Sequence, residues 1–156
     1  MKNVNELLGL KETKEVNEKL NVLLASYQVY YQNLRGFHWN VKGKMFFTLH
    51  GKFEELYNDA AEKIDEVAER ILTMGGQPLH TFDDYLKNSK IKVVKDESEG
   101  TKLVEATLDN MSALVKMERE ILEVADKAND EGTQALMSDL ISEQEKTMWM
   151  LNSLLD

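Results

Sequence analysis

Among the side chains between residues 38 and 69 that could ligate a metal, five are picked out by type and spacing: His38, His50, Glu54, Asp65 and Glu69, with Trp39 directly after the first. Imidazole with carboxylate is a nitrogen–oxygen donor set, harder than thiolate and softer than all-oxygen, and it suits ferrous iron or a similar transition ion. Zinc accepts the same donors. His50 and Glu54 are four residues apart, and so are Asp65 and Glu69, so each pair shares one face if the segment is helical. His50 and Asp65, however, are 15 residues apart. At about 1.5 Å per residue that is roughly 22 Å of helix, too far for both pairs to close on one ion. A second copy of the chain related by a two-fold axis removes the conflict. Such a contact sets residue i against j and j against i, so His50 and Glu54 of one copy would face Asp65 and Glu69 of the other.

On a helical wheel with His50 at zero, the apolar residues of this segment occupy an arc from about −120° (Leu56) to +40° (Leu72). Glu55, Asp59, Glu66, Lys52, Arg70 and Lys63 lie opposite, at about 140° to 220°, and are expected to be solvated. Glu54, Asp65 and Glu69 fall between, at about 40°, 60° and 100°, where a subunit contact would cover them. Covering carboxylates is costly without a cation. No lysine or arginine shares their arc, which makes a metal the fitting partner.

The elements that must carry these residues are helical. Leu20, Leu24, Tyr27, Tyr31, Leu34 and His38 recur at spacings of four and three, which predicts a helix from about Glu12 to Trp39. Gly43 breaks it. A second helix is predicted from about Phe46 to Met74 and is stopped by Gly75-Gly76-Gln77-Pro78. A long link to about Gly100 follows, in which Thr81–Leu86 could add a short helix. The third and fourth helices are predicted from about Thr101 to Asn129 and from Thr133 to Leu151, joined by a turn at Asn129-Asp130-Glu131-Gly132. The tyrosines, tryptophans and methionines fall mostly on the apolar stripes and read as core. Four helices with one long crossover between the second and third give an all-α, ferritin-like connectivity. In such bundles an internal di-metal centre uses Glu-x-x-His, and here Arg35, Phe47 and Gln77 stand three residues before the histidines. The internal centre is therefore not expected.

Composition narrows the function further. The 156 residues fit a single domain, 1–156, and the chain carries no cysteine, which excludes disulfide scaffolds and thiolate chemistry. The N-terminal segment lacks the apolar run of a secretion signal, and no stretch is long and apolar enough for a membrane span, so a cytoplasmic location is expected. A net charge of −9 disfavours strong binding to nucleic acid.

Several runs resemble the Dps family, the DNA-binding proteins from starved cells or mini-ferritins. They are Asn33-Leu34-Arg35-Gly36-Phe37-His38-Trp39-Asn40-Val41, Phe46-Phe47-Thr48-Leu49-His50, Phe53-Glu54-Glu55-Leu56-Tyr57 and Asp65-Glu66-Val67-Ala68-Glu69-Arg70. The likeness extends to Lys146-Thr147-Met148-Trp149. The resemblance implies a hollow dodecameric cage with ferroxidase sites shared between subunits. His38 and His50 would come from one chain, Asp65 and Glu69 from its neighbour, and Trp39 would lie beside the site. It implies oxidation of ferrous iron, preferably by hydrogen peroxide, with ferric mineral stored inside and cell and DNA protected from oxidative damage. The chain departs from the family pattern at Glu54, where aspartate is usual; Glu54 would ligate or bridge a second position. It also lacks a lysine-rich tail, and twelve copies would carry about −108, so strong DNA binding is not expected. Asp130, Glu131 and Asp139, near the third-to-fourth helix turn, could line a pore for incoming cations. The alternatives are a nucleoid-binding structural protein with vestigial metal sites, or a helical interaction protein without metal.

Overall fold

The computed structural model describes residues 2–155. Its elements in chain order are α1 (Val4–Leu8), α2 (Lys14–Asn40), α3 (Phe46–Thr73), α4 (Phe82–Asn88), α5 (Gly100–Lys127) and α6 (Glu131–Asn152). Helices α2, α3, α5 and α6 form the bundle. α2 packs on α3, α5 on α6, and α2 also meets α5 and α4. The four long helices begin and end within two residues of the ranges predicted from periodicity. α1 is additional: it spans one and a half turns, too short for an apolar period to reveal. Among the described residues the extended pairing is limited to one isolated bridge between Lys42 and Glu99. No described helix is long and apolar enough to cross a membrane.

The stripe of α2 supplies the middle of the core. Leu20, Leu23, Leu24, Tyr27 and Leu34 are buried against Leu49, Phe53, Val67 and Ile71 of α3 and against Leu103, Met111, Leu114 and Met137 of α5 and α6. At about 25 cal/mol per Å2 of apolar surface, burial of such side chains stabilises by roughly 1.5–3 kcal/mol each. Gly75, in the left-handed region at φ 73°, ends α3, as the Gly-Gly-x-Pro run predicts.

The long crossover is tied down by polar side chains of α2. Asn21 donates from Nδ2 to the Gln77 carbonyl at 3.1 Å and accepts from the Leu79 N–H at 2.8 Å. The Ser26 hydroxyl accepts from the Lys90 N–H at 3.0 Å. Asn33 donates to the Lys92 carbonyl at 2.9 Å and accepts from the Val94 N–H at 3.0 Å. The irregular backbone thereby meets its hydrogen-bonding requirement while Ile91 enters the core. Thr81 caps α4 by accepting from the Asp84 N–H at 3.2 Å, and its hydroxyl donates to the Asp84 carboxylate at 2.8 Å.

Three expectations about individual residues are corrected. Lys63 is buried rather than solvated, because α6 covers the flank of α3 on which it sits and offers it Glu143. Trp39 and Trp149 are exposed, 57% and 66%, and not core in the single chain. Asp130 is 1% exposed and lies inside the α5–α6 turn, as described below.

Candidate metal centre

His38 closes α2 and His50 opens α3. Between them the chain reverses through a short turn in which Gly43 takes φ +98°, a conformation L side chains rarely adopt. Phe37 and Phe53, edge-on with centroids 5.6 Å apart, hold the two helices together beside the turn. The imidazoles then stack, 3.8 Å apart and 17° from parallel.

Their hydrogen bonds are reciprocal. His38 Nδ1 donates to the His50 carbonyl at 2.7 Å, and His50 Nδ1 donates to the His38 carbonyl at 2.8 Å. A carbonyl only accepts, so each Nδ1 carries a proton and each Nε2 is left for another partner, the orientation a metal-ligating histidine needs. His38 is buried and His50 half-buried. Phe46 stacks on His50 at 5.0 Å, and Tyr57 meets His38 edge-on at 5.4 Å. Tyr57 in turn touches Tyr31 at 6.1 Å, and the Arg35 guanidinium lies over both Tyr31 and Trp39, at 5.4 and 4.9 Å. Trp39 is thereby connected to Tyr31 through Arg35, with its own ring exposed. The aromatic wall of Phe46 and Tyr57 was not singled out from the sequence, although Phe46 and Tyr57, four residues before and seven after His50, share its helix face.

The carboxylates stand elsewhere. Glu54, Asp65 and Glu69 are all exposed in the single chain. α3 is unbroken from Phe46 to Thr73, so Asp65 lies about 22 Å along the helix from His50. Within one chain, among the described residues, no group of three or more histidine, aspartate or glutamate side chains is close enough to hold a metal. The structure thus brings His38 and His50 together, leaves Glu54 one turn beyond, and presents Asp65 and Glu69 as a separate exposed pair.

Comparison with known proteins places the chain in a family. The ferritin-like domain family matches residues 14–156. A DNA protection during starvation protein of Porphyromonas gingivalis is 46% identical over 155 residues, covering 98% of this chain and 98% of that one. The chain belongs to the Dps family.

Structures of Dps proteins agree with the fold. That from Vibrio cholerae O1, described as a member of the ferritin-like diiron-carboxylate superfamily, superposes with a TM-score of 0.91 at 51% identity, covering 92% of this chain and 91% of that one. Dps from Listeria innocua, in a zinc-soaked crystal, gives a TM-score of 0.87 at 30% identity, covering 90% and 95%.

The acids near the α5–α6 turn of this Dps chain divide. Asp130 accepts from Arg70 Nη2 at 2.5 Å, from the Thr133 N–H at 3.0 Å and from the Thr133 hydroxyl at 2.5 Å. It caps α6 and pairs with a cation of α3, so its carboxylate is turned inward and does not line a pore. Glu131 and Asp139 are exposed.

Proposed function

We propose that this chain oxidises ferrous iron at centres shared between two copies and stores the ferric product inside an assembled cage, twelve chains in all. The observation that carries the reading is the reciprocal histidine pair: both Nε2 atoms are held ready for a metal by carbonyls of the same two helices, while the remaining donors sit on another part of α3. One chain supplies His38 and His50, a two-fold mate supplies Asp65 and Glu69, and Glu54 ligates or bridges a second, weaker position. Ferrous iron is the substrate, and the same donors accept zinc.

Neutral imidazoles with two carboxylates balance the charge of a divalent ion in a covered contact and favour the ferric product once an electron leaves. Hydrogen peroxide is the proposed oxidant. Two ferrous ions give one electron each, the O–O bond breaks, and two protons complete two waters, so no hydroxyl radical is released. Exposed Glu131 and Asp139 are the remaining candidates to draw cations toward the cage interior. The net charge of −9 per chain argues for protection of DNA by removal of iron and peroxide rather than by coating it.

The test is ferrous oxidation followed by absorbance, with and without peroxide. Asp65→Ala removes an exposed side chain and should leave the helical signal and particle mass intact while oxidation under peroxide falls at least about tenfold, since an anionic ligand worth more than 1.4 kcal/mol is lost. Wild-type rates in that variant would contradict the assignment.

A further inference from the structure

The helix end that carries His38 is finished by the far end of the crossover. The Val41 N–H closes the last turn of α2 on the Phe37 carbonyl at 2.9 Å. The next amide, that of Lys42, is the one that would continue the helix to the His38 carbonyl. It donates instead to the Ser98 carbonyl at 2.9 Å, in the bridge between Lys42 and Glu99. The His38 carbonyl is thereby left without its helical donor, and it is this carbonyl that accepts from His50 Nδ1 at 2.8 Å. The segment that supplies Ser98 is itself braced. The Glu97 carboxylate accepts from the Ser98 and Glu99 N–H groups, both at 2.9 Å.

α5 begins at this bridge, and its first residue packs against the start of α3. A Cβ on Gly100 would stand 2.8 Å from Leu49 Cδ1 and 3.0 Å from Met45 Cε. Met45 is half-buried and can swing its methyl aside. Leu49 is 0% exposed and directly precedes His50. A close-packed core leaves a displaced side chain no void to enter, so the strain passes to the backbone of its own turn. Gly100 is not among the glycines with positive φ, so space and not conformation requires it. Helix propensity alone would favour alanine there.

On the reading that His38 and His50 ligate iron, we propose that residues 97–100 buttress the histidine pair and that Gly100 is a positioning residue for metal binding there. Its missing side chain lets the start of α5 close on Leu49. The Lys42–Ser98 bond holds the Lys42 amide away from the carbonyl that orients His50. Losing a hydrogen-bond partner of a ligating histidine lowers metal affinity by about 10–100-fold, and a displaced buttress should cost the low end of that range.

Cobalt(II) is the probe, titrated into the full-length assembled protein and read by equilibrium dialysis and visible absorption. Gly100→Ala should bind cobalt about tenfold more weakly than wild type, with helical signal and particle mass kept. Gly76→Ala is the matched control: its Cβ would meet Asn17 Cγ at 2.8 Å, but beyond the far end of α3. A purely structural effect would lower the melting midpoint of both variants and leave cobalt affinity alone. Lys42→Pro removes the bridging amide itself, after a Val41 whose ψ of 140° suits a following proline. It should weaken cobalt binding as Gly100→Ala does, and it carries the comparison if Gly100→Ala does not assemble. His50→Ala reports whether the histidine holds the metal. Cobalt affinity that needs His50 yet is unchanged in Gly100→Ala and Lys42→Pro, or that falls equally in Gly76→Ala, would overturn the buttress and leave the metal centre standing. Affinity indifferent to His50→Ala would overturn both.

Discussion

Asp130→Ala separates a structural carboxylate from a pore-lining one. The side chain is 1% exposed, caps α6 through the Thr133 N–H and pairs with Arg70, whose own side chain is 19% exposed. Loss of the cap costs about 1 kcal/mol. Removing one partner of a buried ion pair costs about 3–5 kcal/mol, but Arg70 keeps a bond from Nε to the Thr133 hydroxyl at 2.9 Å and some access to water. A figure of about 2 kcal/mol is appropriate for that part, below the fully buried range. The sum is about 3 kcal/mol, and at roughly 2–4 °C per kcal/mol for a chain of this size the melting midpoint should fall by about 6–12 °C. Calorimetry or the thermal loss of helical circular dichroism measures it. Asp130→Asn, which keeps a capping oxygen, should lose less than Asp130→Ala. Glu131→Ala and Asp139→Ala, both exposed, should each shift stability by under about 0.5 kcal/mol. An Asp130→Ala protein that melts with the wild type would refute the buried cap and ion pair.

Two further outcomes concern the interior. Asn33→Ala should strip partners from the Val94 N–H, the Lys92 carbonyl and Asn110 Oδ1 together, costing about 3 kcal/mol in denaturant unfolding and exposing the Val94 amide to faster hydrogen exchange; a cost under about 1 kcal/mol would mean the crossover is not held by Asn33. Because burial holds Glu118 above its ordinary value of 4.5, the folded chain takes up that proton more readily than the unfolded one. Its favourable contribution is full at low pH and fades as pH rises from the ordinary range through the raised folded value. Glu118→Gln should therefore gain in melting temperature relative to wild type as pH rises through that window, and a gap independent of pH would show the carboxyl to be unperturbed.

The long helices were legible because each buries a continuous stripe, and the crossover because Gly75-Gly76-Gln77-Pro78 interrupts that pattern. The 15-residue gap between His50 and Asp65 was legible too, since an unbroken helix fixes the distance whatever surrounds it. What failed depended on neighbours. A wheel drawn for α3 alone puts Lys63 with the solvated residues, yet α6 packs over that flank. Asp130 reads as a turn acid until Arg70, sixty residues earlier, arrives beside it. A capping signal was available in Asp130-Glu131-Gly132-Thr133, since aspartate before a helix accepts from the third residue on. The reciprocal histidine–carbonyl bonds had no signal at all, because they arise only when the ends of α2 and α3 meet across the Gly43 turn.

If a working centre needs two chains, complementation between half-centre variants restores it. His50→Ala chains lack one half of the centre and Asp65→Ala chains the other, so each homogeneous assembly should be nearly inactive in peroxide-coupled ferrous oxidation. Unfolded together at equal amounts and reassembled, they should regain about a quarter of the wild-type sites, because each mixed two-fold pair rebuilds one intact centre. Mixed assemblies as inactive as either parent would contradict the shared centre.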